Sequence, residues 1–231
     1  MQCYQNPYII IMLSESIHNN IIIKPSPIHG KGVFATKDIP KNTIVTLYPP
    51  HAIKINGNMI PHADPQNLKD FESNFNEYLR DYLACSSLSD SQMFIGNPNI
   101  ISNSFAGHII NDACGNIFKN ISFDETKKYP IFRNLVSDYY MKSIKNRNCR
   151  LVSDNNDLVI CVETKKDIRA GDELLICYEP AYWFSYNYNN IDNIDNYDPN
   201  YCKTLITKML LDPKFDPTFF TLIQNLKKFF E

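Results

Sequence analysis

Residues 24–48 carry the pattern that most restricts how this chain can fold. Gly30-Lys31-Gly32 sits between turn residues (Pro25, Ser26, Pro27) and a short apolar run, Val33-Phe34-Ala35. A charged turn at 36–38 leads through Ile39 and Pro40 into a second apolar run at 44–48, ending in Tyr48. Two glycines at this spacing let the backbone bend sharply and leave its amides uncovered. Alone, the run reads as a hairpin turn between strands. A distant second run changes its meaning. Residues 166–178 hold Asp167-Ile168, Gly171-Asp172-Glu173-Leu174 and a closing Tyr178, followed by Tyr182 and Trp183.

Composition bounds what such a chain can be. Its 231 residues can bury one sizeable core. A hydrophobic share of 44% against 21% charged residues is that of a globular protein. A net charge of -2 removes the strongly basic nucleic-acid binder as the default, so no direct nucleic-acid contact is expected. The seven cysteines show no C-x-C or C-x-x-C spacing, which leaves a standard zinc site unsupported, and no metal is expected. Their odd number, and no visible leader, point to reduced thiols in an intracellular protein, nuclear or cytoplasmic. The apolar run at 9–13 is too short to span a membrane and reads as a strand.

Seven glycines against fourteen prolines, with fourteen tyrosines and fourteen phenylalanines, predict short strands, frequent turns and an aromatic interior. Residues 21–48 read as successive strands. Leu68, Phe71, Phe75, Tyr78, Leu79 and Tyr82 recur at threes and fours, predicting an amphipathic helix over 66–84. Met93-Phe94-Ile95 before Gly96 reads as a strand, and 99–107 as a loop. A helix is predicted near 131–144, a hairpin joining 151–152 to 158–163, and a strand over 172–178. An Asn/Tyr/Asp-rich tract at 184–198 reads as a linker. Two further helices are expected within 199–231.

The two glycine-bearing runs, with a middle segment between them, resemble the SET domain, the protein-lysine methyltransferase fold. The first is similar to the family's opening G-x-G motif, and the last to its closing motif, which ends at a catalytic tyrosine. The middle motif of the family is N-H-S-C-x-P-N. Here Asn111-Asp112-Ala113-Cys114 and, later, Asn148-Cys149-Arg150 resemble that motif split by an insertion at about 115–147. The resemblance implies a mainly β fold, a β-clip of short sheets with a threaded pseudoknot and a few helices. It places an N-terminal extension at 1–20, the SET domain at 21–183, the linker at 184–198 and a C-terminal helical segment beyond. Three departures stand out: Asp112 replaces the motif histidine, Ala113 the serine, and Glu179 the usual glycine after the tyrosine. Without a cysteine cluster after Tyr178, Cys114 is expected to be a buried free thiol.

What the resemblance implies for the site follows residue by residue. S-adenosylmethionine is the expected cofactor. Lys31, Gly32, Val33 and Phe34 would meet its methionine end and ribose, largely through backbone. Asn111 would hold its amino group through the side-chain oxygen, which suits an ammonium donor. Backbone at Asp112 would read the adenine, and Trp183 would stack near it. Tyr178 is the expected catalytic residue, at the junction of cofactor and lysine channel, with Tyr48 as a second. Tyr48, Leu151, Ile176 and Tyr182 would line that channel. Plainer alternatives stand beside some of these: an ordinary strand tyrosine for Tyr178, core packing for Tyr48 and Trp183, and a solvated turn for Lys31. His108 reads as a histidine satisfied by neighbouring backbone. The expected partner is a basic protein or peptide, a histone tail above all, with no membrane contact and a homodimer left open. The competing expectations are a binding module with weakened turnover and a methyltransferase of non-histone proteins.

Overall fold

The computed structural model describes residues 20–55, 58–61, 83–85, 92–97, 99, 102–122, 125, 129–153, 160–178 and 180–188. They are mainly β, in small sheets. The strands are β1 (Ile21–Pro25), β2 (Lys31–Ala35), β3 (Ile44–Leu47), β4 (Pro50–Ile55), β5 (Asn58–Pro61), β6 (Leu83–Cys85) and β7 (Gln92–Gly96). A 3-10 turn (Gly107–Ile109) leads into β8 (Asn111–Asp112), helix α1 (Tyr129–Asn146), β9 (Cys149–Ser153), β10 (Ile160–Thr164), β11 (Leu175–Ile176) and helix α2 (Pro180–Tyr188). Sheets pair as β1-β2, β3-β10-β9, β11-β8 and β5-β4-β7-β6. Described residues up to Gly115 and from Asn146 to Cys177 form one compact unit; those from Asn116 to Lys145 and from Tyr178 onward form another.

The expected strands over 21–48, the 93–95 strand and the 151–163 hairpin are present as β1 to β3, β7 and β9-β10. The helix near 131–144 is α1. The strand at 9–13, the helix over 66–82 and the C-terminal helices lie outside the described residues; the end of the expected 66–84 helix is instead strand β6. One boundary moves. Residues 184–188, expected to begin a linker, continue helix α2. Pro180 starts that helix, where its missing N–H and preset φ cost nothing. Tyr182 and Tyr186, four apart on one face, then stack with centroids 6.1 Å apart. An Asn/Tyr-rich composition masked this local periodicity.

In the first unit, β1 and β2 form an antiparallel hairpin with Ile23 opposite Val33. Its turn closes with the Ser26 N–H donating to the Gly30 carbonyl at 2.9 Å, and Gly30 adopts a φ of 48° that other residues rarely take. The other edge of β2 meets the closing run. Leu174 N–H donates to Val33 O (2.7 Å), Ala35 N–H to Asp172 O (2.9 Å) and Gly171 N–H to Ala35 O (2.8 Å). The contact continues with reciprocal bonds between Ile39 and Ile168, at 2.8 and 2.9 Å. Carboxylates extend it: Asp38 accepts from Ala170 N–H, and Asp167 from Lys41 N–H, both at 2.8 Å. Residues 33–41 of the opening run and 167–174 of the closing run are therefore neighbours. Val33, Phe34, Ile39, Ile168 and Leu174 are all buried along this seam.

The predicted 172–178 strand is not one ladder. Glu173 bridges to Phe34, whereas Leu175 and Ile176 pair in parallel with Asn111 and Asp112. The chain changes partner between Leu174 and Leu175, so only two residues count as regular strand. Asn148 holds this crossover. Its side-chain amide donates to Glu173 O and its oxygen accepts from Leu175 N–H, both at 2.7 Å, while its own N–H donates to Leu175 O at 3.1 Å.

Thr46 performs a similar service for the loop before β8. Its buried hydroxyl donates to Asn103 O and accepts from Ala106 N–H, both at 2.8 Å.

In the second unit, Phe118, Val136, Tyr139 and Tyr140 are buried. A reciprocal amide pair joins Asn116 to Asn187 of α2, at 2.9 and 2.8 Å. No helix among the described residues is long and apolar enough to cross a membrane.

Replacing Asn148 by Ala strands a partly buried carbonyl and a partly buried N–H at the crossover. We expect a loss of about 2–4 kcal/mol in urea unfolding, from two unmade bonds with no substitute donor or acceptor.

Candidate active site

The most specific arrangement is built around Asn111. Strand β8 carries it beside the β1-β2 turn, where its Nδ2 donates to three oxygens: Glu173 Oε1 at 2.9 Å, and the carbonyls of His29 and Lys31 at 3.1 Å each. The Glu173 carboxylate is itself anchored, its Oε2 accepting from Ser26 Oγ at 3.0 Å. Three acceptors around one amide nitrogen leave a single sensible assignment of that amide. Asn111 Oδ1 points away from them, and no described residue donates to it. Among the described residues it is thus an acceptor without a donor.

Gly32 explains why the G-x-G run needs its second glycine. A Cβ there would overlap the Glu173 carboxylate and reach Ser26 Cβ at 3.0 Å. The requirement is room for a carboxylate, not a special φ. Lys31 is exposed and Gly32 buried at the turn end of β2. Val33 and Phe34 lie deeper, on a strand flanked on one edge by β1 and on the other by residues 172–174. Of the four residues expected to meet a cofactor through backbone, Lys31 and Gly32 are the two at the open end. Glu173, Ser26 and the His29 carbonyl were missed by sequence reasoning, although Glu173 stands inside the closing motif. A carboxylate in a turn normally reads as solvated, and nothing local marks it as buried against a glycine.

The departures after Asn111 have a local use. Asp112 is buried, and its Oδ1 accepts from the Cys114 N–H at 3.2 Å, closing a short turn. A histidine could not make this compact Asx-type bond in the same way. Ala113 N–H donates to Ile176 O at 2.8 Å, which ties the turn back to β11. Cys114 is half-buried, not the buried thiol expected; Cys149 and Cys161 are buried, and burial pushes the Cys149 thiol up to about 12.

Tyr48 directly follows β3 and is buried in a tight enclosure. A Cβ on Gly96 would lie 2.8 Å from its ring, and one on Gly107 would lie 2.9 Å from the Leu47 carbonyl. Its ring meets His108 edge-on, with centroids 6.3 Å apart. Burial lowers the His108 pKa from 6.5 to about 4, so the imidazole is neutral at physiological pH. The two other expected channel residues of this unit lie on adjacent elements. Leu151 is half-buried opposite Val162, and Ile176 is buried opposite Asp112. Lys165, near Cys177, is lowered to about 8, first by partial burial and then by Arg147, Arg150 and Lys41.

Tyr178 belongs to a group of its own in the second unit. It stacks on Trp183, with centroids 5.8 Å apart and planes 20° apart, and meets Tyr182 edge-on at 4.8 Å. Trp183 is in turn edge-on to Tyr182 at 5.0 Å and to Tyr186 at 5.8 Å. Tyr182, Trp183 and Tyr186 project from α2, which opens two residues after Tyr178, so a helix and not a loop orders the aromatic ring set. Offset and edge-on contacts of this kind add about 0.5–1.5 kcal/mol per pair beyond burial. Tyr186 was not anticipated as part of this group; its place inside the presumed linker hid it.

Two outcomes follow. Gly32→Ala should cost about 1–3 kcal/mol of stability by overpacking; combined with Glu173→Ala, the total should fall below the sum of the single losses, measured as a double-mutant cycle. His108 takes its proton near 6.5 when unfolded and near 4 when folded. Its contribution is therefore complete above about 6.5 and lost as pH falls toward 4, by at most about 3 kcal/mol. Urea unfolding across that range should show the decline, and His108→Phe should flatten it.

Comparison with known proteins identifies the family. The SET domain profile matches residues 30–179, more than half of the chain. A search of curated proteins finds no match. Among solved structures, CpSET8 from Cryptosporidium is 19% identical, with 77% of this chain and 68% of that one covered and a TM-score of 0.40. A candidate histone methyltransferase from Plasmodium falciparum is also 19% identical, with 72% and 99% covered and a TM-score of 0.35. The G-x-G turn with strand β2, the Asn111 strand and the closing run with Tyr178 all fall within the matched span, and the chain belongs to the SET-domain family.

Proposed function

We propose that this chain is a protein-lysine N-methyltransferase that uses S-adenosylmethionine, with a histone tail as its substrate class. Membership of a family of methyltransferases supports the reaction type. The observation that carries the cofactor assignment is Asn111. Its Nδ2 is committed to Glu173 and two turn carbonyls, which leaves Oδ1 as the acceptor an α-ammonium requires. Gly32 and exposed Lys31 at the hairpin end suit a carboxylate-bearing, methionine-like tail, with the Lys31 ammonium as a counter-charge.

When bound, S-adenosylmethionine supplies an electrophilic methyl group on a sulfonium. The protein's part is alignment, dryness and a neutral amine. A free lysine has a pKa near 10.4, so on the order of one in a thousand is neutral at physiological pH. Apolar surroundings favour the neutral amine, and alignment alone can supply roughly 7–11 kcal/mol. Buried Ile176 and half-buried Leu151 offer apolar walls, and neither carries a hydroxyl that would tether a partly methylated amine. The reading therefore includes methylation beyond the first step. Tyr178, held between Tyr182 and Trp183, is assigned the orienting hydroxyl.

The purified chain, incubated with methyl-labelled S-adenosylmethionine, core histones and cell lysate, should label a lysine. Tyr178→Phe should lower the rate at least about 100-fold, as loss of one orienting group does, with cofactor affinity little changed. Label on lysate proteins alone would redirect the substrate assignment. Cofactor binding without any transfer would replace this reading with that of a peptide-binding module.

A further inference from the structure

We infer that Glu173 is the positioning residue for cofactor recognition: its carboxylate holds the Asn111 amide nitrogen, so that Asn111 Oδ1 faces the ligand as a hydrogen-bond acceptor. The inference rests on the cofactor reading above and adds the residue that enforces it.

A free asparagine can turn its amide over at little cost, presenting either donor or acceptor to a ligand. Presented nitrogen-first, Asn111 would set N–H groups against an ammonium, and binding would suffer. Three oxygens oppose that turn. Two are backbone carbonyls, of His29 and Lys31, each at 3.1 Å; the third, Glu173 Oε1, is closer at 2.9 Å and carries charge. A bond to an ionised acceptor is roughly twice as strong as a neutral one. Were the amide reversed, Asn111 Oδ1 would face a carboxylate, an arrangement with no proton between the oxygens.

Glu173 is in turn prevented from swinging away. Ser26 Oγ donates to its other oxygen at 3.0 Å. Its backbone carbonyl takes the Asn148 amide at 2.7 Å, and the residue bridges to Phe34. The absence of a side chain at residue 32 supplies the space the carboxylate fills. Ser26, Gly32, Asn111, Asn148 and Glu173 come from four separate stretches of the chain, and each has a defined part in orienting one amide. A site group whose own orientation is locked by such partners is preorganised for its ligand.

The test compares S-adenosylhomocysteine with its analogue in which hydrogen replaces the α-amino group, by calorimetry on the full chain. Glu173→Met, similar in shape but without an acceptor, should weaken S-adenosylhomocysteine about tenfold and leave the desamino analogue within about twofold. Glu173→Gln keeps an acceptor oxygen and should recover all but about threefold of the loss. Ser26→Ala, on a surface turn and sure to leave the core intact, should show the same selectivity at about twofold to threefold. A purely structural role would weaken both ligands together, and equal losses would overturn the inference. Nitrogen-labelled asparagine supplies a reading without ligand: in the wild-type chain the Asn111 Nδ2 protons should exchange slowly with water, and faster in Ser26→Ala. Fast exchange in the wild type would overturn the lock outright. If the wild type binds neither ligand, the cofactor reading fails, and slow exchange would show that the lock stands without that purpose.

Discussion

The rest of the first unit depends on one backbone seam, in which residues 33–41 and 167–174 bond to each other from strand to turn. Bringing such distant segments together carries a loop-closure cost that grows only slowly with separation. It is met here by a run of short hydrogen bonds over buried apolar side chains, Val33, Ile39, Ile168 and Leu174. Two consequences follow from the seam. It sets Glu173 beneath the hairpin turn, and it delivers Leu175 and Ile176 to β8. The glycine turn and Asn111 thus both take their positions from a closing segment far downstream.

Crowding, more than unusual backbone geometry, decides which glycines matter. Gly32 makes room for a carboxylate, Gly96 for the Tyr48 ring and Gly107 for the backbone of β3. The Glu173 carboxylate and the β3 backbone are in turn held by hydrogen bonds elsewhere. Gly30, by contrast, is needed for its left-handed turn. The G-x-G pair therefore joins two different demands, one conformational and one steric. The replacement of the family's motif histidine by Asp112 fits the same economy. Its carboxylate is consumed by the Cys114 N–H within a tight turn, while β8 keeps its pairing with β11.

Much of this was legible in the linear chain. Short apolar runs bounded by turn residues marked β1 to β3, β7 and the β9-β10 hairpin, because turn chemistry is local and survives whatever the sheet partners are. The helix expected near 131–144 is present within a segment of mixed pattern. The three motifs pointed to Asn111, Gly32 and Tyr178 through family resemblance. Less was legible where a residue's meaning depends on a remote partner. Glu173 was read only as part of the closing motif, with no role of its own; Asn148 looked like the remnant of a motif; Tyr186 was lost in a low-complexity tract. The strand expected over 172–178 shrank to two residues because its ladder switches partner midway, and no local pattern announces such a switch.

By itself the sequence determined the menu: short strands, sharp turns, an aromatic-rich interior and the family to which the chain belongs. Those follow from local preferences and ordered motifs, which are properties of neighbouring residues. The tertiary structure alone decided which way the Asn111 amide faces, why residue 32 has no side chain, and that Asp112 serves a turn. Each of these depends on atoms brought together across long stretches of chain, where a hydrogen bond or a collision exists only once the segments have met.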